Sequence, residues 1–328
     1  MAIDGKVLAQ ARAALKEKKH QRERQYEEKI QAVYSRLPAI KAMDEEIQAN
    51  MRELFAIALS PEKQYRVEEI RLCNLSLLEN RRAALTQAGL AENYLDDEYM
   101  CQNCRDTGYV EHEMCECLKA VYKEKQISSL SNLFKLGEET FDNFDLKYYS
   151  DIAAADTGIS PRQDMEVNFE ICVQYARKFG NKSESLFFNG SPGLGKTFLS
   201  ACIAKVVAEN GYSVVYDTAS SLFSKFEEAK FTRVDERAGP QEDANRALRC
   251  DLLIIDDLGT ELTTSFTISA LYEIINTRLI TNKKTIVSSN LTIAELQTRY
   301  SEQIMSRLEG EYQVLTFRGE DIRKKKCV

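Results

Sequence analysis

The stretch FFNGSPGLGKTFLS, residues 187–200, decides the fold of this chain of 328 residues. Its centre, GSPGLGKT, fits the phosphate-loop pattern G-x-x-x-x-G-K-[S/T] and lies between a strand-like run and a helix-like run. In such a loop, main-chain amides and the helix N-terminus enclose a polyanion, the lysine reaches the β- and γ-phosphates, and the hydroxyl binds Mg²⁺. We therefore expect nucleotide binding by Gly190, Ser191, Pro192, Gly193, Leu194, Gly195, Lys196 and Thr197.

Two acids end a hydrophobic run farther along the chain, DLLIIDD at 251–257. The first, Asp256, is expected at the carboxyl end of a strand beside the phosphate loop, where Mg²⁺ needs a carboxylate. Asp257 would then orient and activate the attacking water, although a strand can also end in aspartates simply because a turn follows. A later run, TIVSSN, ends in Asn290, which holds the water, senses the γ-phosphate, or merely forms a turn before the helix cap at Thr292.

Short β-branched and aromatic runs alternate with amphipathic segments in the second half of the chain. Apolar strands that alternate with helices indicate a parallel sheet covered on both faces, so the fold class is α/β. The five predicted strands are 185–189, 213–217, 251–256, 285–289 and 313–317.

The first 95 residues have a different pattern, with helical periodicity and no strand signals. Apolar residues recur every three or four positions from Ile40 to Ala58, and Gly89 is predicted to end a third helix. Residues 6–24 carry seven Lys and Arg against two Glu. This charge indicates either a solvated helix face or a docking surface for an acidic partner.

Composition excludes several classes of protein. The net charge of −7 argues against a generally basic nucleic-acid binder, so any such contact must come from local patches. No apolar run is long enough to span a membrane, and the start of the chain carries no export signal, so we expect a cytoplasmic protein. Cytosolic thiols stay reduced, and the nine cysteines are an odd number, so a disulfide framework is not expected.

Taken together, these motifs resemble those of AAA+ ATPases. The resemblance is closest to bacterial replicative-helicase loaders of the DnaC and DnaI type and to IstB-type relatives that assist transposition. It covers roughly 95–328 and rests on FFNGSPGLGKTFLS, DLLIIDDLGTE, TIVSSNL and SRLEGEYQVLTFRGEDIR, with EETFDNFD at 138–145 resembling a loader signature. Phe141 and Phe144 in that signature are expected either to pack near the adenine or simply to form part of the apolar core.

The resemblance implies a P-loop AAA+ domain with a five-stranded parallel sheet, preceded by a helical domain and a small zinc-binding segment. We accordingly divide the chain into four parts. These are a helical partner-docking domain at 1–95, a zinc-binding segment at 96–120, a linker with the loader signature at 121–160, and the AAA+ ATPase domain at 161–328.

The segment CQNCRDTGYVEHEMCECL, residues 101–118, resembles the zinc-bearing segment of loaders of the Firmicute type, which transposition helpers generally lack. Its C-x₂-C and C-x-C pairs offer four thiolates from two tight turns, which suits a closed, structural Zn²⁺ site. A redox pair or free buried thiols are the alternatives. The expected ligands are Cys101, Cys104, Cys115 and Cys117, with His112 as a substitute for one of the second pair.

The resemblance also implies an oligomer in which a neighbouring subunit's arginine completes the ATP site. In the matching stretch EQIMSRL, Gln303 replaces the first arginine of the pattern and Arg307 remains, while Arg299, one helical turn earlier, could compensate. Arg323 resembles the arginine that reaches the γ-phosphate within one subunit. Many AAA+ proteins have Glu in place of Asp257, and the shorter side chain leads us to expect slow, switch-like hydrolysis.

Contacts to single-stranded DNA are expected near the loop after the two acids. Thr264 and Phe266 occupy positions to which the resemblance points. Lys225, Lys230 and Arg233 lie on the insertion that precedes the predicted strand 251–256. Each is also explained as a solvated or core residue.

The sequence thus predicts a helicase loader in DNA replication that binds and hydrolyses ATP. It would use ATP, Mg²⁺ and Zn²⁺, bind a DnaB-type replicative helicase and single-stranded DNA, and self-assemble on ATP binding, with no membrane partner. The alternatives are an IstB-like transposition helper ATPase and a nucleotide-gated adaptor with little hydrolysis.

Overall fold

The computed structural model describes residues 3–58, 66–131, 139–153, 158–232 and 238–324. Contacts divide the chain into two compact units, Met1–Ala11 with Lys119–Val328 and Arg12–Leu118. The four-part division made from the sequence stays a prediction. Among the described helices, none is both long and apolar enough to cross a membrane.

The unit Arg12–Leu118 is mainly helical. It contains most of α1 (Gly5–Arg36), together with α2 (Pro38–Ala58) and α3 (Arg66–Gln87). A small core joins these helices through the buried side chains of Val33, Ile40, Leu85 and Leu95.

The predicted stop of α3 at Gly89 is confirmed. Gly89 has a φ of 77°, its N–H donates to Thr86 O at 3.0 Å, and the N–H of Leu90 donates to Leu85 O at 3.0 Å. This pair of bonds is the Schellman motif, which satisfies carbonyls that the helix end would otherwise leave unpaired.

The same unit holds a short antiparallel hairpin. Its strands are β1 (Tyr109–Val110) and β2 (Glu113–Met114). Glu111 and His112 form the two-residue turn, and both have positive φ, as tight hairpin turns of this length require.

The other unit is an α/β layer structure. Its strands are β3 (Ser185–Gly190), β4 (Val214–Thr218), β5 (Leu252–Leu258), β6 (Lys284–Ser289) and β7 (Tyr312–Phe317). Its helices are α4 (Glu116–Ser131), α5 (Pro161–Arg177), α6 (Lys196–Glu209), α7 (Ala219–Phe231), α8 (Ala238–Arg249), α9 (Ser265–Ile280), α10 (Ile293–Arg299) and α11 (Glu302–Gly310).

All five strands are parallel and lie in the order β4-β5-β6-β3-β7. Each predicted strand forms, so the prediction of a five-stranded parallel sheet is confirmed. The order places β3, which leads into the phosphate loop, between β6 and β7. The carboxyl ends of β3, β5 and β6 therefore meet at one edge of the sheet, where ligands of open α/β sheets bind.

The sheet has an apolar core on each of its faces, and alternate residues of a strand pack into one core or the other. On β5, Leu252 and Ile254 face the layer that contains α5 and α6, whereas Leu253 and Ile255 face the layer that contains α7 and α9. Burial on both faces explains why β5 reads as a continuous apolar run in the sequence.

Candidate nucleotide and metal sites

The phosphate loop connects β3 to α6, and Gly195 is the residue that caps the helix. Gly195 has a φ of 92°, and a Cβ there would lie 2.8 Å from the hydroxyl of Tyr149. A larger residue would therefore be strained and would also collide with Tyr149. The Tyr149 hydroxyl donates to Leu194 O at 2.9 Å, which fixes the loop from a segment that precedes α5.

Lys196, the first residue of α6, turns its ammonium group into the loop. Its Nζ donates to Gly190 O at 2.6 Å and to Ser191 O at 2.8 Å, and the residue is 4% exposed. Burial lowers the pKa of Lys196 to about 8; Asp257 and Asp256 act in the opposite direction, and Arg323 adds to the lowering. Its charge is thus close to both acids predicted from the sequence.

Asp256 is buried at the end of β5 and accepts two hydroxyl hydrogen bonds. Tyr216 donates to Oδ2 at 2.6 Å, and Ser288 donates to Oδ1. A carboxylate can accept about four hydrogen bonds, so these two hold it in place and leave lone pairs for a further ligand.

Asp257 lies at an irregularity in the sheet. The register between β5 and β6 shifts between Ile255 and Leu258, and Asp257 has a φ of 56°, which is uncommon for a residue other than glycine. Bulges of this kind re-aim side chains next to active sites. The backbone N–H of Asp257 donates to Ser288 Oγ at 3.0 Å.

Asn290 follows β6 and meets Asp257 directly. Its Nδ2 donates to Asp257 Oδ1 at 2.9 Å. Burial, and then the neighbouring charge of Asp256, raises the pKa of the Asp257 carboxyl. The structure therefore brings together three of the predicted side chains, Lys196, Asp257 and Asn290, with Asp256 adjacent.

The residues of this edge suit a magnesium-bound nucleotide. The loop offers main-chain amides and a buried cation, Asp256 offers a carboxylate, and Thr197 is exposed at the start of α6. Oxygen ligands of this type are those that Mg²⁺ prefers, and a lysine surrounded by protein is suited to a phosphate oxygen.

The loader signature packs against this loop. The Phe144 ring stacks on Phe169, with centroids 5.0 Å apart, and lies 5.7 Å from the Phe198 ring and 5.9 Å from the Tyr149 ring. Phe141 meets Phe169 edge to face at 5.7 Å. Both signature aromatics are thus partly buried beside the α5–α6 core, while contact with an adenine stays a prediction.

The arginines lie in different surroundings. Arg307, on α11, donates to Tyr272 Oη and to Asn276 Oδ1, both at 3.2 Å, and covers the Tyr272 ring at 4.8 Å. Arg323 is largely exposed in a short 3-10 turn, with its Nε 3.3 Å from Asp321 Oδ1. That turn is fixed to the phosphate loop because the Ile322 N–H donates to Gly193 O at 3.0 Å.

The expectation that Arg299 lies one helical turn before Gln303 is wrong. Helix α10 ends at Arg299 and α11 begins at Glu302, so the two residues belong to different helices. Arg299 is also held inside its own chain, where Nε donates to Thr263 Oγ1 at 2.7 Å and Nη2 donates to Glu261 O at 3.0 Å.

The residues predicted to contact DNA separate into two groups. Lys225 pairs with Asp217, and Thr264 caps α9 by accepting from Thr267 N at 3.2 Å. Lys230 instead lies over the Phe266 ring, with its Nζ 5.4 Å from the centroid. Arg233 lies outside the described residues.

The four cysteines of 101–118 converge on one point. The Sγ atoms of Cys101 and Cys115 are 3.7 Å apart, those of Cys104 and Cys117 are 3.4 Å apart, and all four lie within 4.8 Å of one another. Zn–S bonds of about 2.3 Å place the sulfurs of a tetrahedral site about 3.8 Å apart, so the cluster fits a zinc ion.

The first cysteine turn is shaped by its neighbours. The Asp106 carboxylate accepts from Cys101 N at 2.8 Å, and Gly108 N donates to Cys104 Sγ at 3.3 Å. Burial opposes the thiolate of Cys104, but the Gly108 N–H and the neighbouring thiols lower its pKa to about 7. His112 is exposed in the hairpin turn and is not a member of the four-residue group.

Several residues of the site were missed by sequence reasoning. Tyr216 and Ser288 hold Asp256, and Tyr149 holds the phosphate loop. Their contacts depend on the register of neighbouring strands and on the path of the segment before α5. The local sequence around these residues carries no signal for either.

Comparison with known proteins agrees with the motifs. Residues 169–327 match the family of IstB-like ATP binding proteins. A replicative helicase loader DnaC from Buchnera aphidicola is 28% identical over 153 residues, and the match covers 46% of this chain and 61% of that protein. The insertion sequence IS5376 putative ATP-binding protein of Geobacillus stearothermophilus is 27% identical over 43% of this chain and 51% of that protein. The chain thus spans less than two thirds of these curated relatives.

A solved structure of the DnaC helicase loader superimposes with a TM-score of 0.43 at 20% identity, covering 54% of this chain and 98% of that one. The predicted resemblance to the loader and IstB-like families is confirmed. The predicted α/β fold with a five-stranded parallel sheet, preceded in the sequence by helices and by a cysteine cluster that could bind zinc, is confirmed as well.

Proposed function

We propose that this chain is an ATP-binding and ATP-hydrolysing helicase loader that acts in DNA replication. The observation that carries this proposal is the edge of the sheet where buried Lys196, the acids Asp256 and Asp257, and Asn290 meet. Similarity to proteins named as DnaC loaders supports the assignment to replication.

In this proposal, residues 190–197 bind the phosphates, with Lys196 on the β- and γ-phosphates. Thr197 and Asp256 hold Mg²⁺, which neutralises charge on the phosphates when it is bound. Asp257 orients the attacking water and accepts its proton, and Asn290 keeps the carboxylate in position through the 2.9 Å hydrogen bond. The raised pKa of Asp257 brings it closer to what a general base needs.

Two arginines complete the proposed site. Arg323 lies in the turn fixed to Gly193 and acts from the same subunit, where it already influences the pKa of both Lys196 and Asp257. Arg307 acts on a neighbouring subunit's nucleotide after leaving its contacts with Tyr272 and Asn276. Self-assembly on ATP binding belongs to this proposal, as does slow turnover, because the Asp257 side chain is one methylene shorter than glutamate.

Single-stranded DNA would stack on an aromatic surface at the ends of α7 and α9. Phe231 is 67% exposed, its ring centroid lies 5.8 Å from that of Phe266, and the Lys230 Nζ lies over both rings. A cation above paired aromatic rings offers both the stacking face and the charge that single strands need. Phe266 and Lys230 therefore remain in the proposal, whereas Lys225 is occupied by Asp217.

The partner helicase would dock on the helical unit. Helices α2 and α3 expose several large apolar side chains that a solvated surface does not require. These are Met51, Phe55, Val67, Leu72, Leu75 and Leu78. The four cysteines would hold a structural zinc that stabilises the hairpin beside them, because a closed four-thiolate site has no position for substrate. A cytoplasmic location completes the proposal.

ATP hydrolysis by the full chain tests this function. We expect slow phosphate release that falls to background in Lys196→Ala and by about 10²-fold or more in Asp257→Asn. The assay is run with and without single-stranded DNA. If the wild-type chain releases no more phosphate than Lys196→Ala under any condition, the enzyme assignment is wrong and the nucleotide-gated adaptor takes its place.

An IstB-like transposition helper is the second candidate, and the family match over 169–327 favours it. The two candidates differ in their partner. The purified chain, loaded with MgATP, should retain a hexameric replicative helicase and not a transposase. The reverse preference would assign the chain to transposition.

A further inference from the structure

Glu261 is a buried carboxylate that the proposed ATP site does not use. It lies in the loop after β5 and is 5% exposed. Its Oε2 accepts from Gly259 N at 2.9 Å, and its Oε1 accepts from the hydroxyl of Tyr300. An ionised carboxylate is costly to bury unless hydrogen bonds compensate, so these two contacts are what keep it in place.

A second pair of contacts joins the same two segments. Arg299 donates to the backbone O of Glu261 at 3.0 Å and to Thr263 Oγ1 at 2.7 Å. Arg299 ends α10, Tyr300 follows it at 4% exposure, and α11 begins two residues later. The loop after β5 is therefore attached to the α10–α11 junction through two consecutive residues.

The turn that leads into this loop includes the backbone carbonyl of Asp257, the proposed water-orienting acid. Thr260 donates to the backbone O of Asp257 from both its N–H, at 3.2 Å, and its hydroxyl, at 2.8 Å. The Gly259 N–H held by Glu261 lies inside this turn. A displacement of Glu261 would thus act on the turn that sets the left-handed backbone of Asp257.

The other end of the connection leads to Arg307. Tyr300 is the C-cap of α10, and α11, with Arg307 in its last turns, follows directly. Asp257 and the helix that carries Arg307 are thus both attached to the buried contact between Glu261 and Tyr300.

We propose that Glu261 is a positioning residue for ATP hydrolysis, one that ties the turn carrying Asp257 to the α10–α11 junction. This inference rests on the proposed ATPase function. Glu261 touches neither phosphate nor water in this role. It fixes the relative geometry of the acid and of the helix that presents Arg307, so that a shift of one is carried to the other.

Two substitutions test the connection between Glu261 and Tyr300 by changing different atoms. Tyr300→Phe removes only the hydroxyl that binds Oε1, and Glu261→Gln keeps the size but removes the charge. We expect each to lower kcat about tenfold and to leave the dissociation constant for MgATP within about twofold, because small misplacements at a reacting centre reduce rate more than binding. The rate loss in the double variant should be smaller than the product of the two single losses, since both substitutions alter the Glu261–Tyr300 contact.

Tyr175→Phe is the matched control. The Tyr175 hydroxyl is buried and has no hydrogen-bond partner among the described residues, so its removal should leave kcat unchanged. Unaltered kcat in Tyr300→Phe, or a parallel loss of nucleotide affinity and thermal stability, would overturn the proposal.

Amide hydrogen exchange gives a readout that needs no hydrolysis. In Tyr300→Phe, exchange should rise in peptides covering both 255–263 and 299–308, and Tyr175→Phe should change neither. A rise in amide exchange confined to 299–308 would refute the proposal that Glu261 connects the two segments. A wild-type chain without ATPase activity but with the coupled rise would refute the proposed function alone.

Discussion

The charge of Lys196 depends on its surroundings more than that of an ordinary lysine. Burial brings its pKa to about 8, so that at pH 9 about nine tenths of the empty protein carries a neutral amine here, against about one tenth at pH 7. A bound phosphate would favour the charged form and raise this pKa again.

Nucleotide binding should therefore take up protons at alkaline pH. We expect uptake of about 0.1 proton at pH 7 and about 0.9 at pH 9, with affinity falling as the pH rises through 8. Titration calorimetry in two buffers of different ionisation heat measures the number of protons taken up on binding. An affinity for MgATP that stays constant between pH 7 and 9.5 would show that Lys196 does not meet the phosphates.

Individual side chains also show which parts of the site could be predicted from the sequence and which could not. The loop glycines and Lys196 were predictable because the phosphate-loop pattern fixes their spacing, and the two acids because they end an apolar strand-like run. Tyr216 was not, because its bond to Asp256 depends on the pairing of β4 with β5. Arg278 shows the same limit: it is fully buried and donates to the carbonyls of Ala247 and Cys250, although arginine is ordinarily exposed.

At the scale of elements, the predictable features were those with a local cause. The five strands follow from apolar runs, and the capping box of Thr292 with Glu295 starts α10 as its spacing predicts. The register shift in β5 has no local signal, since its contacts are long-range: Asp257 is hydrogen-bonded to Ser288 on β6 and to Asn290, which follows β6. The break between α10 and α11, at Tyr300 and Ser301, was missed as well.

The cysteine hairpin should depend on its metal. We expect about one zinc per chain in the purified protein and its loss in Cys104→Ala, because this thiol lies inside the four-sulfur group. Removing zinc with a chelator should raise amide exchange across 100–118 and leave the phosphate loop unchanged. Metal analysis by mass spectrometry and exchange measurements check both points.

His112→Ala is the control for the zinc site. This histidine lies exposed in the turn between β1 and β2, outside the cysteine group, so the variant should keep its zinc. Loss of zinc in His112→Ala, or retention in Cys104→Ala, would contradict the four-cysteine assignment.

At the scale of the whole molecule, the chain joins two kinds of surface. One unit carries the edge of a parallel sheet at which the proposed ATP site lies, and the other carries helices with exposed apolar side chains and a cysteine hairpin. The motifs predicted the first because phosphate chemistry restricts the residues that can serve it. Partner surfaces have no such restricted pattern, so the helicase and the DNA strand were predicted from resemblance.

Calorimetric titration of the full chain with MgATP tests the central claim most directly. The account predicts saturable binding of one nucleotide per chain, lost in Lys196→Ala and retained in Lys178→Ala, which removes an exposed lysine at the end of α5. Folded wild-type protein that gives no binding heat, or a Lys196→Ala variant that binds as tightly as wild type, would contradict it.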